Sequence, residues 1–172
     1  MSHAVSLFVG PLPALRVIAA ASPRARIFAL SASASAASYL VLPLTEDVHD
    51  DIHAAFGTGD WLDNGPMLSS SDLALAQRAS RGTALAYVET DYFGGQGRQN
   101  AMLWRDGMLV LQPAELPSGS SRSRSLWPIN AVLRGLGVSA ALGHDEFDTL
   151  GVGRWRSNEA IIAEAVEVRT GS

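Results

Sequence analysis

Two glycine turns inside one apolar stretch set the tightest limit on how this chain can fold. Thr83–Phe93 is rich in apolar, aromatic and β-branched residues, Gly94-Gly95-Gln96-Gly97 interrupts it, and Arg98–Trp104 resumes it. Asp106-Gly107 separates that run from Met108–Gln112, and Pro113 stops it. An Asp-Gly pair between such runs supplies the two positive-φ residues of a tight hairpin. The stretch therefore reads as a three-stranded antiparallel meander.

The flanking sequence adds further strands at Val5–Val9, Arg26–Leu30 and Tyr39–Leu44. Between and after them the apolar period changes to that of helices. One helix holds Pro13 in its first turn, where proline is tolerated, and runs to about Ala21. A second is capped by Thr45, with Glu46 and Asp47 in the turn where the helix dipole favours negative charge. Its stripe is Val48, Ile52, Ala55 and Phe56, and Gly57 closes it. A third starts at Ser71 or Asp72 and ends near Ala79. Ile129, Val132, Leu133 and Leu136 mark a fourth, which the Gly135/Gly137 pair terminates; Ser157 caps a last one bearing Ile161, Ile162, Ala165 and Val166. Ser31–Ser38 and Pro117–Ser125 read as loops, and His144–Asp148 and Gly151–Arg156 as irregular. The expected fold is α+β: one domain over residues 1–172, with a mainly antiparallel sheet, a central three-stranded meander and helices packed on one face.

Composition removes several chemistries. The chain has 172 residues and no cysteine, which excludes thiol nucleophiles, disulfides and zinc sites that use sulfur. All 13 basic residues are Arg, so Schiff-base chemistry and a phosphate-loop lysine are excluded too. The net charge of −4 argues against nucleic acid as partner. No apolar run approaches the ~20 residues that cross a bilayer. Ala4–Ala21 is interrupted by Pro11, Pro13 and Arg16 and follows no basic residue, so it is not read as a leader. A cytoplasmic protein without membrane contact is expected.

Four constellations could carry chemistry. His49-Asp50-Asp51-Ile52-His53 places two imidazoles at i and i+4 of a helix, a spacing that grips one metal if a third ligand is supplied. The plain alternative is two border residues on the flank of the helix. Glu89 and Asp91 lie at i and i+2 of a strand, so both carboxylates project from one face, roughly 6–7 Å apart along it. Such a pair can share a proton or hold a cation, or it can be an ordinary solvated strand end. The Gly94–Gly97 turn can cradle an anion, but it lacks the following helix, and a hairpin explains its glycines. His144-Asp145-Glu146-Phe147-Asp148, followed by Gly153-Arg154-Trp155-Arg156, sets charges around aromatic residues, as an interface does and as a core plug with a polar rim also does.

The segment Glu89–Gly97, followed by Gln99, Trp104, Ile129-Asn130 and Asp145-Glu146-Phe147-Asp148 through Gly153-Arg154, resembles a group of small bacterial proteins of the polymorphic-toxin immunity type. The resemblance covers about the second half of the chain. It implies a protein that binds a toxin and does not turn over a substrate. The leading expectation is an inhibitor that occludes a partner enzyme through an acidic, aromatic-anchored surface. Its binding residues would be Glu89, Asp91, Tyr92, Phe93, Gln96, Asp145, Glu146, Phe147, Asp148 and Arg154, with no catalytic residue, no metal and no cofactor. The alternative is a metal-dependent hydrolase using Glu89 and Asp91 with His49 and His53.

Overall fold

A computed structural model describes residues 2–30, 38–63, 65–93, 96–114 and 123–169. Strands β1 (His3–Gly10), β2 (Phe28–Ala29), β3 (Leu40–Pro43), β4 (Ala84–Phe93), β5 (Gln96–Arg105), β6 (Met108–Leu111) and β7 (Val166–Glu167) form one sheet. Their order is β6-β5-β4-β1-β3-β2-β7, and every strand pair is antiparallel. The helices are α1 (Leu12–Ala19), α2 (Glu46–Phe56), α3 (Ser70–Ala79), α4 (Pro128–Leu136), α5 (Glu146–Leu150) and α6 (Asn158–Glu164). Among the described residues no helix is long and apolar enough to cross a membrane.

The meander is present as β4-β5-β6, paired from Ala84↔Arg105 to Phe93↔Gln96 and then across the Asp106-Gly107 turn. Asp106 and Gly107 both have positive φ, 51° and 78°, the twist that matches right-handed strands. The class, α+β on a mainly antiparallel sheet, is as the sequence predicts. The layering is not: helices cover both faces, not one. Leu7, Val9, Ala86, Val88, Ala101 and Leu103 pack with Ile129, Val132, Leu133, Leu150 and Ile161 from α4–α6. Phe8, Leu85, Tyr87, Met102 and Trp104 pack with Leu15, Ile18, Val48, Ile52, Leu75 and Ala76 from α1–α3. Strands covered on both sides read as continuous apolar runs and not as alternation. Leu7–Val9 and Ala84–Val88 are such runs, and that is the physical reason for the second helical layer.

Several boundaries also move. The third helix begins earlier than expected. Ser69 is its N-cap, and Asp72 at N3 completes a capping box by accepting the Ser69 backbone N–H. Asp145–Asp148 is not irregular: Asp145 caps α5 by accepting the Asp148 N–H at 2.8 Å, and a single 3-10 turn covers Val152–Arg154. Gly135 lies inside α4, and only Gly137, in the left-handed region, ends it. The loop readings for residues 31–37 and 115–122 lie outside the described residues.

The N-terminus of α2 is tied to the loop after α1 by charge. Arg24 meets Asp47 at 2.6 Å and donates to both carboxylate oxygens of Asp51. Hydrogen bonds from Arg24, then from Ser22, hold the Asp51 carboxyl down at about 2. Its folded value is depressed, so its contribution is present above the ordinary carboxyl range near 3.8 and is lost as pH falls towards about 2. In Arg24→Ala the Asp51 midpoint, followed by carboxyl carbon NMR, is expected to climb back towards 3.8; an unmoved midpoint would contradict the pairing.

Candidate functional site

At one end of the sheet the apolar alternation stops and polar residues take over on both faces. Register brings that end together: His3 pairs with Tyr92, Val5 with Thr90, Ser6 with Glu89, and Thr90 in turn with Gln99. Because side chains alternate along a strand, Ser6, Tyr87, Glu89, Asp91, Arg98 and Asn100 share the face of α1–α3. His3, Thr90, Tyr92 and Gln99 share the opposite face, that of α4–α6. A cleft opens on each side.

The cleft on the α2 side has a volume of about 240 Å³, and Ser6, His49, Met67, Glu89, Asp91 and Arg98 are among its lining residues. Glu89 is only 5% exposed and heavily used. Its Oε2 accepts the Met67 backbone N–H at 2.8 Å and the Tyr87 hydroxyl at 2.7 Å, and its Oε1 accepts Asn100 Nδ2 at 3.0 Å. The Arg98 guanidinium stands 4.0 Å away. Burial first, and then the Glu89 charge, push the Tyr87 phenol well above its ordinary range, so it remains a donor. Glu89 is thus a brace that joins the loop at Met67 to two strands. Asp91, two residues on, is exposed. The two carboxylates share a face but not an environment.

The cleft on the α4–α5 side has a volume of about 200 Å³, and its lining includes His3, Gln99, Trp127, Asn130, Phe147 and Asp148. Asn130 builds its wall: Nδ2 donates to the Arg124 carbonyl at 2.8 Å, and Oδ1 accepts the Phe147 N–H at 2.9 Å. Arg124 lies over the Trp127 ring at 5.5 Å and 3.6 Å from Asp148. His3 Nδ1 is 2.7 Å from the Thr90 hydroxyl, and its ring meets that of Phe147 at 5.7 Å. Burial, followed by the Arg156 charge, lowers the His3 pKa, so the ring is neutral near pH 7. Gln99 is buried, and its Oε1 accepts no hydrogen bond within the protein.

The residues singled out in the sequence therefore divide. Tyr92, Asp145, Phe147 and Asp148 line the α4–α5 cleft, while Glu89 and Asp91 line the α2 cleft. Phe93, 80% exposed, stands on β4 just beyond both. Glu146 is buried and joined to Arg134 at 2.7 Å, so it offers no charge to a partner. Arg154 is exposed but lines neither cleft, and the side chain of Gln96 lies outside the described residues. His3, Thr90, Gln99, Trp127 and Asn130 also line the α4–α5 cleft; of these Thr90, Gln99 and Asn130 stand among the residues of the resemblance, and none is a binding residue in the sequence reading. For His3 and Thr90 the sequence signal is the switch from apolar to polar residues near the ends of β1 and β4.

His49 and His53 are brought to a third residue that the spacing alone does not show. Asp72 Oδ2 is 3.3 Å from His49 Nδ1 and 3.8 Å from His53 Nε2. Burial pushes the Asp72 carboxyl up, but His49 and the Ser69 backbone N–H stabilise its anion more, and it lies below its ordinary range.

No protein-family model, curated protein or solved structure matches this chain.

Proposed function

We propose that this chain is a cytoplasmic partner-binding protein of the inhibitor type, which covers a partner enzyme with the polar end of its sheet. The observation that carries the reading is that one end of the sheet presents an exposed aromatic on one face and an open polar cleft on the other. Phe93 stands exposed at the end of β4 on the face of Asp91, while its neighbour Tyr92 lines the α4–α5 cleft on the other face. The floor of that cleft holds Gln99, whose Oε1 is an acceptor with no donor. Buried acceptors are normally satisfied, and a donor on an inserted partner side chain would satisfy this one. Trp127 and Phe147 give such a side chain apolar walls, the setting in which interface anchors carry most of the binding energy. Asp148 at this cleft and Asp91 on the opposite face, both exposed, supply negative charge around this end of the sheet, where charge steers encounter more than it holds the complex.

The test is affinity for the product of a toxin gene adjacent to this one, measured by surface plasmon resonance. Submicromolar binding is expected, and no binding at micromolar concentration would overturn the reading. Phe93→Ala is expected to weaken binding about tenfold or more, mainly through faster release, while the thermal midpoint stays unchanged. An equal loss of affinity from a distant exposed residue such as Leu142 would point to a different surface.

A further inference from the structure

We propose that His49, His53 and Asp72 form a binding site for a divalent transition-metal ion, zinc in the first place. The site goes beyond partner binding, because none of its three residues belongs to the α4–α5 cleft or to the β4–β5 hairpin.

The donor atoms come from two helices. His49 and His53 stand one turn apart on α2, with rings 5.6 Å between centroids, and Asp72 stands in the first turn of α3. One nitrogen from each imidazole and one carboxylate oxygen lie within 4.8 Å of one another. Ligands held at ~2.0–2.2 Å by a tetrahedral zinc lie about 3.3 Å apart. The observed separations of 3.3 and 3.8 Å run to Asp72 Oδ2, so the carboxylate group stands at about that edge from both rings. Two imidazoles and one carboxylate suit zinc and its neighbours; calcium and magnesium prefer oxygen alone.

A second, independent feature points to a ligand. The Asp72 side chain is fully buried, yet its Oδ1 has no hydrogen-bond partner, and the buried His49 Nδ1 has only the 3.3 Å approach of Asp72 Oδ2, with no well-formed hydrogen bond. Unpartnered atoms of this kind are few in native proteins, and here two of them are metal donors in one cluster. Oδ2, by contrast, is fixed by the capping box, accepting the Ser69 backbone N–H at 2.7 Å and the Ser69 hydroxyl at 3.0 Å. The helix cap therefore orients the carboxylate and leaves its other oxygen unclaimed, as outer hydrogen bonds do for metal ligands. The indole of Trp61, held by a backbone bridge to Ser69, packs 5.6 Å from His49 and 5.4 Å from His53. It shields the cluster from bulk water on one side and is itself half-exposed, so an ion has a way in.

The full chain, treated with a chelator and then dialysed, is titrated with Zn²⁺ against a chromophoric competitor and separately with Co²⁺. One equivalent of Zn²⁺ is expected to bind at micromolar concentration or tighter, with the visible absorption of tetrahedral Co²⁺. Zn²⁺ should also raise the thermal midpoint. His49→Ala and His53→Ala should each weaken binding by about a hundredfold or more and abolish the cobalt bands. Because His49 faces the buried Asp72 and His53 Nε2 is 2.9 Å from the Ser69 hydroxyl, the metal-free midpoints should fall, and the zinc-induced rise in midpoint of each variant is read against its own metal-free value. Asp72→Asn, which keeps an acceptor for the capping box, should do the same. An absence of stoichiometric binding, or binding that survives both histidine substitutions, would overturn the proposal and leave an ion-paired cluster. Neither result bears on affinity for a protein partner.

Discussion

Glu89→Ala is expected to lower the thermal midpoint by roughly 10 °C. The substitution removes the shared acceptor of three donors, the Tyr87 hydroxyl, the Met67 backbone N–H and the Asn100 amide, and leaves them buried. Breaking one side of a buried charged network costs about 3–5 kcal/mol. In a domain of this size each kcal/mol is worth about 2–4 °C. Glu89→Gln keeps one carbonyl oxygen and should lose less. A loss from Glu89→Ala within a degree or two, by calorimetry, would mean that the loop at Met67 is not held by this carboxylate. The effect is on folding, and binding should suffer only as far as the β4 end loosens.

Gly151→Ala is the second substitution with a large expected effect, about 3 kcal/mol. Gly151 ends α5 with φ +91°, and a Cβ there would lie 2.7 Å from the Leu30 carbonyl oxygen. Two costs add: the left-handed conformation for a side-chain-bearing residue, and a backbone contact that cannot yield without moving Leu30. Gly143→Ala separates them. Gly143 also has positive φ, +80°, but nothing lies within 4 Å of its Cβ position, so only the conformational cost of about 1 kcal/mol remains. Urea denaturation of the two variants checks the difference. Equal losses would show that close approach to Leu30 contributes nothing. Because α5 carries Phe147 and Asp148 into the cleft, Gly151→Ala should also weaken partner binding where Gly143→Ala does not.

The parts of the fold that were legible are those fixed by neighbours in sequence. Asp106-Gly107, the Thr45 and Ser157 caps and the Val48/Ile52 half of the α2 stripe are local signals that stand where local chemistry puts them, whereas Ala55 and Phe56 at the end of that stripe are exposed. The second helical layer was written in the short apolar runs Leu7–Val9 of β1 and Ala84–Val88 of β4, but runs this short are equally compatible with other burial patterns. The clefts were much less legible. Tyr92 and His3 meet only because β1 and β4 are paired in register, and Asn130 reaches Phe147 across the turn between two helices. Asp72 is instructive: as a helix-start residue it was visible, but its place beside His49 and His53 depends on how α3 packs against α2. The acidic motif Asp145–Asp148 misleads in the opposite way. One of its acids caps a helix, one is buried against Arg134, and only part of its charge reaches solvent.

β1 lies in the middle of the sheet and precedes every other strand in the chain, and this has a kinetic meaning. The nearest strand it can pair with on one side follows soon after, as β3. On the other side its neighbour is β4, and the contact of Val5 with Thr90 spans a separation of 85 residues; Asn158 closes on Ser6 across 152. Closing such long loops costs entropy before any contact rewards it, so assembly is slow, with the quick β4–β5–β6 hairpins waiting for the oldest segment to arrive. On the ribosome, Leu7, Phe8 and Val9 therefore emerge long before Val88, Tyr87 and Ala86, and stay uncovered on that side until those partners follow.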